Sequence, residues 1–186
     1  MILVLLLTSI SFLGCEMGPN KERLKFEIDE LESELSRLYR ETGRSEMTIA
    51  RSTSLRDAYI RYADTWKSDS LAAEYLFQAA MIDADIHNDV TTGIKYLERI
   101  VEDYPNHPIH SKTLFLIGFT YAEQLNDINK AREAYQRYLD LYPNGEMASS
   151  VKIELETLGL KTIPDFLLEH NESLQDSLST TESELE

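Results

Sequence analysis

YLERIVEDYPN at Tyr96–Asn106 and AYQRYLDLYPN at Ala134–Asn144 decide how this chain folds. The second follows the first in one register, each position recurring at the same spacing and without a gap. Tyr104-Pro105-Asn106 recurs as Tyr142-Pro143-Asn144. Upstream, Tyr96, Leu97, Arg99, Ile100 and Val101 stand opposite Ala134, Tyr135, Arg137, Tyr138 and Leu139. A further copy sits one such spacing earlier, at Ala58, Tyr59, Arg61, Tyr62, Ala63 and Trp66. The intervening segments repeat as well: Leu76-Phe77 matches Leu114-Phe115, Ala80 matches Gly118, and Ala84 matches Ala122. Leu38-Tyr39 and Thr42 keep the same register. Coincidences this numerous in one register mean an array of repeated units.

Each half of the unit reads as a helix. Ala131, Tyr135, Tyr138, Leu139 and Tyr142 recur at steps of three and four, one apolar stripe of an amphipathic helix. Ile109 to Ala122 is apolar on more than one side, as befits a helix packed between neighbours. Pro108 suits a first helical position, Pro105 and Pro143 follow helix ends, and polar links such as Asn126-Asp127 join the helices of a pair. Only seven Gly and five Pro occur in 186 residues, which favours helices with short connections. The expected fold is all-α, a helical repeat array over 44–159 with a period of about 38 residues.

These residues resemble the tetratricopeptide family. Its pattern places a small residue and then an aromatic on the first helix, here Gly118 and Tyr121. On the second helix it places a small residue, an aromatic and a later Pro, here Ala131, Tyr135 and Pro143. The usual period is about 34 residues, and here Gly118 to Ala131 is one residue longer than the pattern. The bulky Tyr138 and the recurring Tyr-Pro resemble the envelope branch of the family. That branch includes the lipoprotein component D of the outer-membrane β-barrel assembly machine and a periplasmic division coordinator. The resemblance implies a binding groove on the inner face of the first helices, formed by Glu74, Phe77 and Met81 and then Lys112, Phe115 and Phe119. With one cation among these six, a carboxylate clamp is not expected. An apolar segment or amphipathic helix suits Phe and Met better.

The two ends have their own character. Ile2 to Leu13 is almost wholly apolar, too short to span a bilayer and suited to an export signal. Phe12-Leu13-Gly14-Cys15 resembles the lipobox of bacterial lipoproteins, which implies a signal over 1–14, a lipid on Cys15 and a tether over 15–20. Cys15 is the sole cysteine, so no intrachain disulfide can form. Leu24, Ile28, Leu31, Leu35 and Leu38 alternate steps of four and three along a long helix at 21–43. This is heptad spacing, suited either to packing on the repeats or to a homo-oligomeric coiled coil in which Glu27 would oppose Glu32. Residues 160–186 hold seven acidic residues against one Lys, with a short capping helix expected around Ile163–Leu168 and disorder beyond Asn171.

Little points to catalysis. A net charge of −15 argues against nucleic acid and against an electrostatic grip on anionic lipid. Asp83, Asp85, His87 and Asp89 echo a calcium loop, but Asn88 stands where its Gly belongs and Ile94 where its Glu belongs. They read as exposed charges at a turn. His107 and His110 flank Pro108 without an assignable third ligand, and read as a solvated turn. No nucleophile elbow, phosphate loop or zinc motif is present. The sequence thus predicts a non-enzymatic scaffold without cofactor or metal, lipid-anchored at the periplasmic face of the outer membrane and binding an envelope protein or peptide. The alternative is an oligomeric spacer joined through the Leu24–Leu38 seam.

Overall fold

The computed structural model describes residues 19–160, and every regular element in that span is helical. The helices are α1 (Lys21–Thr42), α2 (Glu46–Thr65), α3 (Ser70–Met81), α4 (Val90–Asp103), α5 (His110–Phe119), α6 (Ile128–Leu141) and α7 (Ala148–Thr157). Each packs on the next in chain order. This is the repeat array expected from the sequence.

The period is visible in the backbone. α4 and α6 start after Asp89 and Asp127, whose carboxylates accept hydrogen bonds from Thr92 and Lys130 backbone N–H at 2.9 and 3.1 Å. Such caps satisfy donors that a helix start leaves open. Before each cap stands Asn88 or Asn126, at φ 55° and 52°. This left-handed conformation is one that asparagine tolerates better than most residues. Trp66, Tyr104 and Tyr142 end α2, α4 and α6 with nearly the same backbone angles, their N–H groups donating to Tyr62, Ile100 and Tyr138. The extra residue between Gly118 and Ala131 is absorbed by a π turn, Thr120–Gln124, which has its counterpart at Ile82–Ile86.

Small residues set the helix spacing. A Cβ on Gly93 would lie 2.8 Å from the Ala80 carbonyl oxygen, so α3 and α4 meet backbone to backbone there. In the next pair, a Cβ on Gly118 would intrude into the ring of Tyr135, which is fully buried. The positions compensate: Ala80 and Leu97 in one pair become Gly118 and Tyr135 in the next. Gly145, in the link after α6, is crowded too. Its Cβ would lie 2.6 Å from the Tyr138 hydroxyl, which accepts the Met147 N–H at 3.0 Å.

The core divides in two. The larger cluster runs through α3–α7 and takes in Ala63 of α2, and the smaller joins α1, α2 and α3. Leu24, Ile28 and Leu31 belong to the smaller cluster, Leu38 is also buried, and Leu35 packs against that cluster. The heptad stripe is therefore largely covered within its own chain. Glu27 pairs with Arg61 and Glu32 accepts the Tyr59 hydroxyl, each at 2.6 Å, so the two acids that would oppose each other in a dimer seam serve α2. Lys21 pairs with Asp69, the cap of α3, and the Tyr62 hydroxyl donates to the same carboxylate at 2.9 Å. Three helices are tied together at that point. Asp69 is held down to about 2, chiefly by Lys21.

Cys15, the expected signal over 1–14, most of the expected 15–20 tether and the acidic tail from 161 onward, with its expected capping helix, lie outside the described residues. Among the described residues, no helix is long and apolar enough to cross a membrane.

Candidate functional site

The odd-numbered helices carry one position in common. Tyr39 on α1, Phe77 on α3, Phe115 on α5 and Ile153 on α7 stand at equivalent places in successive units. All four are large and apolar. The inner two are partly or fully covered, Phe77 being 9% exposed, whereas Tyr39 and Ile153 are 53% and 60% exposed.

The six groove residues named from the sequence fall into three environments. Phe77 belongs to the larger core, and Met81 and Phe115 pack against it half-buried. Phe119 is half-buried but packs on Phe115, the ring centres 6.4 Å apart, and lies outside the core cluster. Glu74 and Lys112 are exposed. The Lys112 ammonium sits 5.0 Å from the centre of the Phe77 ring, so a side chain of α5 reaches one of α3 and this cation is directed to a π face. The apolar surface left partly exposed on these helices is accordingly the Phe115–Phe119 pair and Met81, with Tyr39 and Ile153 exposed at the equivalent positions of α1 and α7.

Two readings of turn residues need correction. Asp83 is not an exposed turn charge: it is 1% exposed, accepting from Arg56 at 2.9 Å and lying 2.6 Å from His87 Nδ1. His87 Nε2 in turn faces the Ser52 and Thr53 hydroxyls at 3.0 and 3.3 Å. This arrangement looks like an acid, base and hydroxyl in line. Ser52 has no exposed surface and donates to the Ile49 carbonyl at 2.8 Å, so no substrate reaches it. The cluster joins α2 to the π turn after α3. Burying a carboxylate is tolerable when charge and hydrogen bonds meet it. Asp85 remains exposed and Asp89 is the α4 cap.

His110 is likewise not solvated. It is 2% exposed, with Nδ1 2.8 Å from the Tyr142 hydroxyl. Burial first, and then the charge of Arg137, push its pKa below the ordinary histidine value. His107 Nδ1 accepts from the Ile109 N–H at 3.2 Å, supporting the turn before α5. The sequence carries a faint signal for a structural His110, which precedes Tyr142 by a little less than one repeat. Only packing shows the two meeting.

Residues 74–107 and 112–145 match the protein family described as tetratricopeptide repeat. These segments hold most of α3 and α5 and all of α4 and α6, so the central pairs of the array are similar to tetratricopeptide repeats. No curated protein and no solved structure matches the chain. Repeats of this kind make a protein-interaction scaffold.

Proposed function

We propose that this protein is a membrane-tethered scaffold of the bacterial cell envelope, held by a lipid on Cys15 at the periplasmic face of the outer membrane. Its odd-helix face takes an apolar segment or amphipathic helix of another envelope protein, in assembly or cell-wall coordination. The observation that carries the binding half is the row of large apolar side chains across α1, α5 and α7, left open at Tyr39 and Ile153. Exposed aromatic and aliphatic side chains at regular spacing suit a partner helix presenting its own apolar stripe. The anchoring half rests on Ile2–Leu13 followed by Gly14-Cys15. Several acyl chains bury enough methylene groups, at about 0.8 kcal/mol each, for stable attachment. The spacer reading is weaker, because the stripe it needs is covered by α2.

A photo-reactive side chain placed at Tyr39 or at Ile153 in cells should yield the same protein adduct. One at Lys67, in the α2–α3 link, should not. Phe119→Ala should remove the adduct with the melting temperature unchanged. Adducts from Lys67 alone, or equal adducts in Phe119→Ala, would reject the face.

A further inference from the structure

α1 begins where α2 ends and α3 starts. Arg61, near the end of α2, meets Glu27 of α1 at 2.6 Å, and Lys21 meets Asp69, the cap of α3. Pro19 follows Cys15 by four residues, a stretch that spans at most about 14 Å. A lipid on Cys15 therefore holds this end of the array close to the bilayer, whatever path the intervening residues take.

The charge at that end differs from the rest of the chain. Its acids are answered: Glu22 by Lys25 at 3.7 Å, Glu27 by Arg61, Asp64 by Arg99 at 2.7 Å and Asp69 by Lys21. Arg23 and Lys67 are exposed, and their side chains make no ion pair with another described residue. The whole chain carries −15, so the acid excess lies elsewhere. Apolar surface accompanies the two open cations. Phe26, one turn along α1 from Arg23, is 61% exposed, and Trp66 is half-buried against Tyr62 at the end of α2. Between these helices opens a hollow of about 310 Å³ lined by Arg23, Arg61 and Trp66 among others. The repeat also changes here. Where later links read Tyr104-Pro105-Asn106 and Tyr142-Pro143-Asn144, the link beside the start of α1 reads Trp66-Lys67-Ser68.

We infer that this end of the array, presenting Arg23, Phe26, Trp66 and Lys67, lies against the anionic phospholipid surface that holds the acyl chains. The inference rests on the lipid anchor proposed at Cys15 and adds how the array stands on it. Cations within about 10 Å of an anionic bilayer are attracted to it at moderate salt. Guanidinium groups at the hollow match phosphate with paired N–H donors. Aromatic rings, indole above all, suit the boundary between headgroups and acyl chains. The same surface repels the acid excess on the remainder of the array and turns it outward.

Trp66 is the sole tryptophan, so its fluorescence reports this end alone. The full-length protein, extracted from membranes with its lipid, is reconstituted into vesicles of phosphatidylcholine and phosphatidylglycerol, with or without a nitroxide on the headgroups. The nitroxide should quench Trp66, and less so at about 1 M salt, where charges are screened within ~3 Å. Trp66→Phe with Leu160→Trp moves the reporter to the other end, since Gly159 lies beside Ile128 at the start of α6, and should abolish quenching. Arg23→Glu with Lys67→Glu should lose most of the quenching while still sedimenting with the vesicles and melting like the native protein. If the relocated reporter does not fold, the native and charge-reversed proteins decide. A native protein that does not sediment with vesicles removes both the anchor and this inference. Sedimentation without quenching, equal quenching from Leu160→Trp, or unchanged quenching in the charge-reversed protein overturns the inference and leaves the anchor standing.

Discussion

At Gly118 a single methyl group decides whether two helices can close. Glycine inside a helix ordinarily costs about 0.5–1 kcal/mol relative to alanine. Overpacking a well-filled core costs about 1–3 kcal/mol, and the Tyr135 ring, buried on all sides, has nowhere to yield. The clash outweighs the propensity gain, so Gly118→Ala should lower the unfolding free energy. Adding Tyr135→Leu recreates the Ala80–Leu97 pairing, and the double variant should recover part of the loss, giving a coupling of about 0.5–3 kcal/mol in denaturant titrations. Strict additivity would refute the pairing. His110 makes stability depend on pH. Its pKa is depressed in the folded protein, so the unfolded chain takes up its proton first as pH falls. Its contribution is fully present above the unfolded value near 6.5 and is lost progressively as pH drops toward the folded value. The unfolding free energy should thus fall between about pH 7.5 and 5.5, and fall less in His110→Gln. Equal losses in both would show that other groups cause the drop.

Helix ends and helix faces answer to different substitutions. Asp127 caps α6 as Asp89 caps α4. Asp127→Ala should cost about 1 kcal/mol, and Asp127→Asn much less, since an amide oxygen still accepts the Lys130 N–H. Equal costs for the two would mean that charge, not capping, dominates. On α1, Ile28 has no exposed surface. Ile28→Ala should cost about 2–5 kcal/mol without changing the sedimentation of the chain at micromolar concentration. A change in sedimentation with little loss of stability would restore the oligomeric seam. The heptad spacing in the sequence is real, but spacing alone does not say which helix covers a stripe. Here α2 covers it, its Arg61 and Tyr59 meeting Glu27 and Glu32. The π turns are legible in the sequence only as one surplus residue between Gly118 and Ala131.

Across the whole molecule, the last described helix of the array shows a change of surface. Where α5 presents Leu114 and Gly118 to α6, α7 has Lys152 and Glu156 at the equivalent positions. A polar outer face of this kind is what a terminal helix of a stacked array needs. The proposed tethering is tested on the entire chain: labelled palmitate should mark the native protein, and Cys15→Ala should be unlabelled and leave the membrane fraction. An unlabelled native protein that keeps residues 1–14 would remove the anchor. The helical class, the repeat period and the register can all be read from the amino acids alone, because periodic apolar spacing and recurring Tyr-Pro-Asn turns are local properties of the chain. That Asp83 and His110 are buried, that Phe77 lies under Lys112 and that Ala134 lines a cleft emerge only once the helices have packed. Burial and vacancy depend on what neighbouring helices bring to the same place, and residues far apart in sequence supply them.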